Sequence, residues 1–451
     1  MSESQRFTDR VSLCLVGMQF QQWGIWQIVA QHVKIKQKVL THTPLEKLQD
    51  CLVNILAGGH GLVEINTRVR DDQVLQRAFG RTACADQSTI SDTLNACVTE
   101  NVIEMRDALI EVIRRHSQAY HHDYTHYQLL DIDVTGLCAG RLGEGVTKGY
   151  FAHRKNARGR QLGRVIASHY DESITERLLT GKRQLETSLL ELVDAATQTL
   201  EFDENKRKNT LLRIDGGGGS DTNINALLKQ DYQLLVKVHN WQRARKLAET
   251  VKEWLVDPKV PEREVGWVSE PHEYTCATQQ IALRKRHPKD KTKWSYAVIV
   301  SGVSETVLRE MTHQTETPTD QARALQIVYA YDLRGGGAET QNRNDKQGLG
   351  LAKRNKRKFA AQEMLILLAQ LAHNLVIWAR NALAQETPSL RKYGIQRMVR
   401  DVFQIPGTIQ LDAVGKVQIT LRENHPLAPK VMGGFRKWLR RDDWSLNLGE
   451  I

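Results

Sequence analysis

Two apolar runs that end on carboxylates limit what this chain can fold into. Leu129-Leu130-Asp131-Ile132-Asp133-Val134-Thr135 reads as a strand carrying two acids two residues apart. Alternate strand residues share a face, so Asp131 and Asp133 point the same way. Leu211-Leu212-Arg213-Ile214-Asp215 is a second such run, followed by four glycines and a helix expected to begin near Ser220 or Asp221. A buried carboxylate is costly without a partner or a cation, so both runs should end at a cleft, where acids serve as metal ligands. Asp133 is the favoured ligand of the first run because it lies nearer the exit at Thr135-Gly136. Asp131 is the alternative, and whichever acid is not the ligand would cap the following turn. The glycines after Asp215 lack the Gly-Lys-Ser/Thr of a phosphate-cradling loop and the spacing of a dinucleotide fingerprint. They fit close approach of a ligand or a DNA backbone to Asp215.

A third carboxylate follows the run Tyr331-Asp-Leu-Arg-Gly-Gly-Gly-Ala-Glu339. The glycines interrupt regular structure, which places Glu339 in the first turn of a helix. Helical spacing puts Glu339, Arg343 and Lys346 on one face, an acid framed by cations. Such a face suits a metal ion flanked by phosphates, although a solvated, salt-bridged surface has the same composition. Together, Asp133, Asp215 and Glu339 could hold two Mg²⁺ ions roughly 4 Å apart, a geometry that supports in-line displacement at a phosphodiester.

Charge points to the partner. Lys and Arg number 63 against 52 Asp and Glu, a formal excess of +11. The excess is clustered in Arg154, Lys155, Arg158, Arg160 and Arg164, and again between Gln341 and Ala360, where Lys353 and Arg354 are expected to meet phosphate. Asn240 and Trp241, just after the strand expected at Tyr232 to Val238, would either line the cleft edge or serve in capping and packing. The six cysteines form no Cys-x-x-Cys pair, which argues against zinc ribbons and for reduced thiols in a cytosolic or nucleoid setting. No signal peptide or uninterrupted membrane-spanning run is apparent, so no membrane partner is expected.

Residues 1–122 read as helical. A helix ending near Phe79, a turn at Gly80 and a second helix opening at Ser88 and Thr89 would fit a helix-turn-helix. His121, His122 and His126 read as a polar linker. Residues 123–240 and 327–384 form two parts of one α/β core, and 241–326 a β-rich insertion between them. The apolar stretch from Phe359 to Leu383 suits a scaffold helix across a sheet, entered from the basic Lys353 to Lys358 segment. Residues 385–451 form a C-terminal region of no legible role.

The chain resembles the Asp-Asp-Glu transposases of bacterial insertion sequences, in the branch with a Tyr-Arg-Glu-Lys signature. The resemblance rests on Asp133 in Leu-Asp-Ile-Asp-Val-Thr-Gly, Asp215 in Leu-Leu-Arg-Ile-Asp-Gly, and Tyr331, Arg334, Glu339 and Lys346. One interval differs: Arg334 to Glu339 is a residue longer than the usual pattern. The resemblance implies an RNase H-like catalytic core, a mixed sheet flanked by helices, interrupted by a mostly β insertion and preceded by a helical DNA-binding region. It implies that Asp133, Asp215 and Glu339 bind divalent metal, two Mg²⁺ with Mn²⁺ able to substitute. Tyr331, Arg334 and Lys346 would contact phosphates of the element end. It further implies a bacterial cytosolic enzyme acting as a homodimer on double-stranded DNA, both terminal inverted repeats and target. Some similar enzymes pass through a hairpin aided by a tryptophan of the insertion, here Trp254, Trp267 or Trp294. The competing readings are a related metal-dependent nuclease and a domesticated transposase serving as a DNA-binding regulator or scaffold.

Overall fold

Alternation along the strands decides how the sheet is covered. Leu130, Ile132, Leu212, Ile214, Leu234 and Val236 face one side, where Leu185, Leu189, Leu192 and Ala196 of the helix Leu185–Leu200 pack on them. Leu129, Leu211, Leu235 and Ile299 face the other, under Val307 and Leu308 of Glu305–Thr312 and Ile327 and Val328 of Asp320–Asp332. The result is a sheet covered by helices on both faces, a mixed α/β architecture. The structure, a computed structural model, describes residues 6–151, 154, 156–287, 290–313, 318–411, 416–440 and 443–450. Lys155 lies outside the described residues.

The chain divides into two compact units. The first comprises Met1–His116, Leu137–Val146 and Gln341–Ile451; the second comprises Ser117–Gly136 and Thr147–Thr340. The boundaries fall inside the strand Gln128–Cys138 and the helix Ala338–Gly348. This differs from the five-part division read from the sequence, because residues at both ends of the chain build one unit.

The second unit holds a ten-stranded sheet. Glu172–Thr180 pairs with Arg158–Ala167, which neighbours Gln128–Cys138. Thr210–Ile214 and Gln233–Lys237 follow, both parallel to Gln128–Cys138. The region expected to be an insertion is not a separate sheet. Its strand Asp290–Ser301 pairs antiparallel with Gln233–Lys237, Val300 opposite Val236, and Gln279–His287 and Arg263–Trp267 extend the same sheet. Helices Trp241–Glu249 and Glu305–Thr312 belong to the same stretch, so it is less purely β than its alternating residues imply.

In the first unit the helix Phe359–Glu386 is buried nearly all round. Among the described residues only this helix is long and apolar enough to cross a membrane, and 94% of its apolar window is buried within the protein. A helix apolar on every side and covered by protein is a core helix. It packs against Ala428–Leu439, Thr99–His116 and Pro44–Leu56, helices rather than the sheet expected from the sequence. The basic segment before it is not helical, since the helix Ala338–Gly348 ends ten residues before the next helix is capped at Lys358. At the amino-terminal side, Gln73–Ala78 and Gln87–Ala96 are separated by a turn with Gly80 at φ 79°. Asp86, not Ser88 or Thr89, caps the second helix, its Oδ1 accepting from both of their backbone N–H groups. The C-terminal strand Val417–Arg422 sits in a four-stranded sheet with Arg6–Thr8, Gly407–Leu411 and Trp444–Gly449.

Candidate active site

The second unit brings Asp133, Asp215 and Glu339 together around one guanidinium. Asp133 lies on Gln128–Cys138, Asp215 directly follows Thr210–Ile214, and Glu339 is the second residue of Ala338–Gly348. Arg334 reaches all three from the 3-10 turn Leu333–Gly336. Its Nη2 donates to Asp133 Oδ1 at 2.9 Å and its Nη1 to Glu339 Oε1 at 3.0 Å. Asp215 Oδ1 lies 3.9 Å from Nη1. The Arg334 side chain is 5% exposed, Asp133 16%, Asp215 50% and Glu339 60%, so the cluster has a dry floor and an open rim.

One cation on a buried floor faces three carboxylates. Burial pushes the Asp133 carboxyl above its usual range; Arg334 opposes this, while Asp215 and Glu339 reinforce it by like-charge repulsion. Burial works against the Arg334 charge, but Asp133 and Asp215 outweigh it and raise its pKa. Tyr331, half-buried against the apolar face that Ile327 helps form, has its phenol pushed up by burial and by Asp215.

Asp131, the alternative first ligand, has another partner. It is fully buried and held by a two-pronged pair with Arg213, Nε to Oδ1 at 2.6 Å and Nη2 to Oδ2 at 2.7 Å. Ser168 Oγ donates to the same Oδ2 at 2.5 Å. The two acids two residues apart thus share a face, as the spacing predicts, but only Asp133 reaches the Arg334 cluster.

The glycine loops differ in purpose from one position to the next. A Cβ on Gly337 would lie 2.2 Å from Asp131 Oδ2, while Gly335 and Gly336 have nothing within 4 Å of that position. After Asp215, a Cβ on Gly219 would lie 1.9 Å from the Lys237 carbonyl oxygen. There the glycine lets two neighbouring loops touch, and His239 N donates to Gly219 O at 3.0 Å. Ser220 caps the helix Asp221–Leu228 as the sequence predicts.

Several residues expected to meet phosphate are placed otherwise. Arg334 is turned inward onto the acids. Arg160 is 1% exposed within the strand Arg158–Ala167, and four residues on Arg164 is equally buried and paired with Glu176 at 2.6 Å. The strand is an interior one, and Arg164 meets an acid across the sheet rather than a ligand. Arg354 is 4% exposed, its Nε donating to the Leu349 carbonyl at 2.9 Å and its Nη2 to that of Gly59, so it ties loops within the first unit. Arg154, Arg158 and Trp241 are exposed in the second unit. In the first unit, Arg343 and Lys353 are exposed and Lys346 is half-buried. Trp254 and Trp294 enclose the Arg284 guanidinium at 4.3 and 4.5 Å, and Trp267 Nε1 donates to the Asp320 carbonyl at 3.0 Å, so all three have partners within the second unit. His122 and His126 pair with Tyr170 and Glu310, in keeping with a linker.

Sequence reasoning missed Arg213, Ser168 and Gly337. A signal for the first was present: Arg213 precedes Asp215 by the same two residues that separate Asp131 from Asp133, and in the parallel register Asp131 lies opposite Arg213.

As a donor set the three acids suit a divalent cation, since they offer hard oxygens with charge to spare around a position already filled by a positive group. Among the described residues no three His, Cys, Asp or Glu side chains form a ready-made metal cage, because here the acids are spaced around Arg334.

Residues 11–439 match the family model described as transposase DDE domain group 1. The chain therefore belongs to that family, the transposases named for their acidic catalytic domain. No curated protein matches it. Among solved structures, a piggyBac transposase synaptic complex with hairpin DNA is similar at 12% identity and a TM-score of 0.48, over 98% of this chain and 85% of that one.

Proposed function

We propose that this transposase binds the ends of an insertion sequence and uses Asp133, Asp215 and Glu339 to cut and join DNA strands. The observation that carries the reading is the convergence of three carboxylates, from two strands and a helix, on a single cation. The family membership supports the same chemistry. The strand order Glu172–Thr180, Arg158–Ala167, Gln128–Cys138, Thr210–Ile214 and Gln233–Lys237, the last three parallel, supports an RNase H-like core.

In this reading Asp133, Asp215 and Glu339 hold two Mg²⁺ ions, for which Mn²⁺ can substitute. Bound metal supplies a hydroxyl nucleophile at neutral pH and charge neutralisation for the departing oxygen. The protein's part is placement. Asp133, on the dry floor, fixes the innermost ligand, while Asp215 and Glu339 at the rim face arriving DNA. Arg334 and Tyr331 would contact phosphate beside the cut once the acids were engaged by metal. Lys346, Arg154, Arg158, Arg343, Lys353 and Trp241 are further DNA contacts in this reading, and the enzyme works as a homodimer on paired ends in the bacterial cytosol.

The test is incubation of the purified protein with the terminal DNA of its own element, with Mg²⁺ or with EDTA, beside Asp215→Ala. Metal-dependent cuts at the element end and a joined product, both lost in the variant, are expected. Binding without cutting would leave a DNA-binding regulator, and cutting without joining a nuclease.

A further inference from the structure

The buried pair Asp131–Arg213 lies on the strands that lead to Asp133 and Asp215 and meets the segments flanking Arg334 and Glu339. Arg213 stands opposite Asp131 in the parallel register and grips it through two hydrogen bonds. Its remaining terminal nitrogen, Nη1, donates to the Ala330 carbonyl at 2.8 Å, near the end of the helix that leads to Arg334 and Glu339. Asp131 Oδ2 also accepts from Ser168 Oγ, and Ser168 N donates to the Leu129 carbonyl at 3.0 Å. Gly337, two residues before Glu339, sits so close to that same oxygen that a side chain there would collide with it. Asp133 follows Asp131 by two residues, and Asp215 follows Arg213 by two.

The pair's side chains are 2% and 0% exposed, so neither charge reaches solvent or a bound strand. Nor is stability a sufficient reason for it, because buried ion pairs are often no better than apolar side chains of similar volume. What an apolar pair cannot supply is direction. The planar guanidinium fork meets a carboxylate in one orientation, and its third arm fixes a carbonyl.

Resting on the reading of the site as a metal-dependent strand-cutting centre, we propose that Asp131 and Arg213 are positioning residues. They set the separation of Asp133 and Asp215 and hold the Arg334–Glu339 loop against both. They act through the metal-binding acids, in the way outer partners orient the ligands of a metal, and do not touch the substrate.

The test replaces direction while keeping volume and charge balance, in the full chain carrying Asp131→Leu and Arg213→Met. Three quantities are read: the melting temperature, Mn²⁺ affinity by calorimetry without DNA, and the Mg²⁺ concentration giving half-maximal cutting of terminal DNA. The double variant is expected to fold, to bind Mn²⁺ about 10–100-fold more weakly, and to shift its Mg²⁺ requirement alike. Its binding of terminal DNA in EDTA should match wild type. A folded double variant with wild-type Mn²⁺ affinity would overturn the proposal. If the double variant does not fold, Arg213→Lys, which keeps the charge and loses the fork, should show a smaller shift in the same direction; wild-type affinity there is equally fatal. Wild-type protein that binds Mn²⁺ but never cuts would sink the functional reading alone, the positioning role then being decided by the Mn²⁺ measurement. Wild-type protein that neither binds Mn²⁺ nor cuts would sink both.

Discussion

Two charge clusters lie side by side on the same strands and are built on opposite principles. The inner one, Asp131 with Arg213, is closed: one acid, one base, a two-pronged contact and almost no exposure. The outer one, Arg334 with Asp133, Asp215 and Glu339, is open: three acids share one base, and two of them are half-exposed or more. A step of two residues along each strand separates a one-to-one pair from a group in which three acids share one base. The distinction is one of neighbours, since the aspartates themselves are chemically identical.

Substitutions can break this contrast or sharpen it. The largest effect should come from Asp133→Asn, which is expected to lower the rate of strand cutting by about 10²–10³-fold or more while leaving binding of terminal DNA intact, as gel assays of cutting and of binding can separate. Arg213→Met should show itself in stability as well. It leaves Asp131 buried and unpaired, so unfolding in denaturant should show a loss of about 3–5 kcal/mol. Arg334→Met should cost about 2 kcal/mol in EDTA, since the acids lose their charged hydrogen bonds, and added Mg²⁺ should recover most of it. If Mg²⁺ restores nothing, the outer cluster is not a cation site. Gly337→Ala should cost about 1–3 kcal/mol by forcing Asp131 off its partners. Gly335→Ala, in open space, should stay within about 0.5 kcal/mol of wild type by the same denaturation measurement. Equal effects at the two glycines would mean that the loop, and not its contact with the inner pair, sets the cost.

The elements that build the outer cluster were legible because their signals are local. An apolar run closing on an acid gave the strands near 129–135 and 211–215, and three glycines before Glu339 gave the helix start. What escaped detection depends on pairing across the sheet. Glu172–Thr180 carries Glu172, Ser173, Thr175, Glu176 and Arg177, which look like a solvated loop in one dimension. In the fold Glu176 meets Arg164 and Glu172 meets Ser117, so the polar strand is buried. For the same reason Arg160 and Arg164 read as phosphate contacts. A cation's partner some twelve residues away is set by strand register, which charge counting cannot see. Arg354 misled differently, since the carbonyls it ties down, Leu349 and Gly59, are backbone groups with no side-chain signature. The DNA contacts expected of Arg154, Arg158, Arg343 and Lys353 rest on composition, and their exposure is compatible with that role.

The way residues 290–301 join the sheet bears on how this chain can be shortened. Because Asp290–Ser301 lies against Gln233–Lys237, removing the stretch between the two core segments would lay bare the outer side of Gln233–Lys237, whose Leu234, Leu235 and Val236 are all buried. A newly uncovered apolar strand with unpaired N–H and C=O groups is a template for joining other chains edge to edge. A trimmed version should accordingly clump during expression instead of yielding a minimal enzyme, and any such design would need charged or proline residues along the new border.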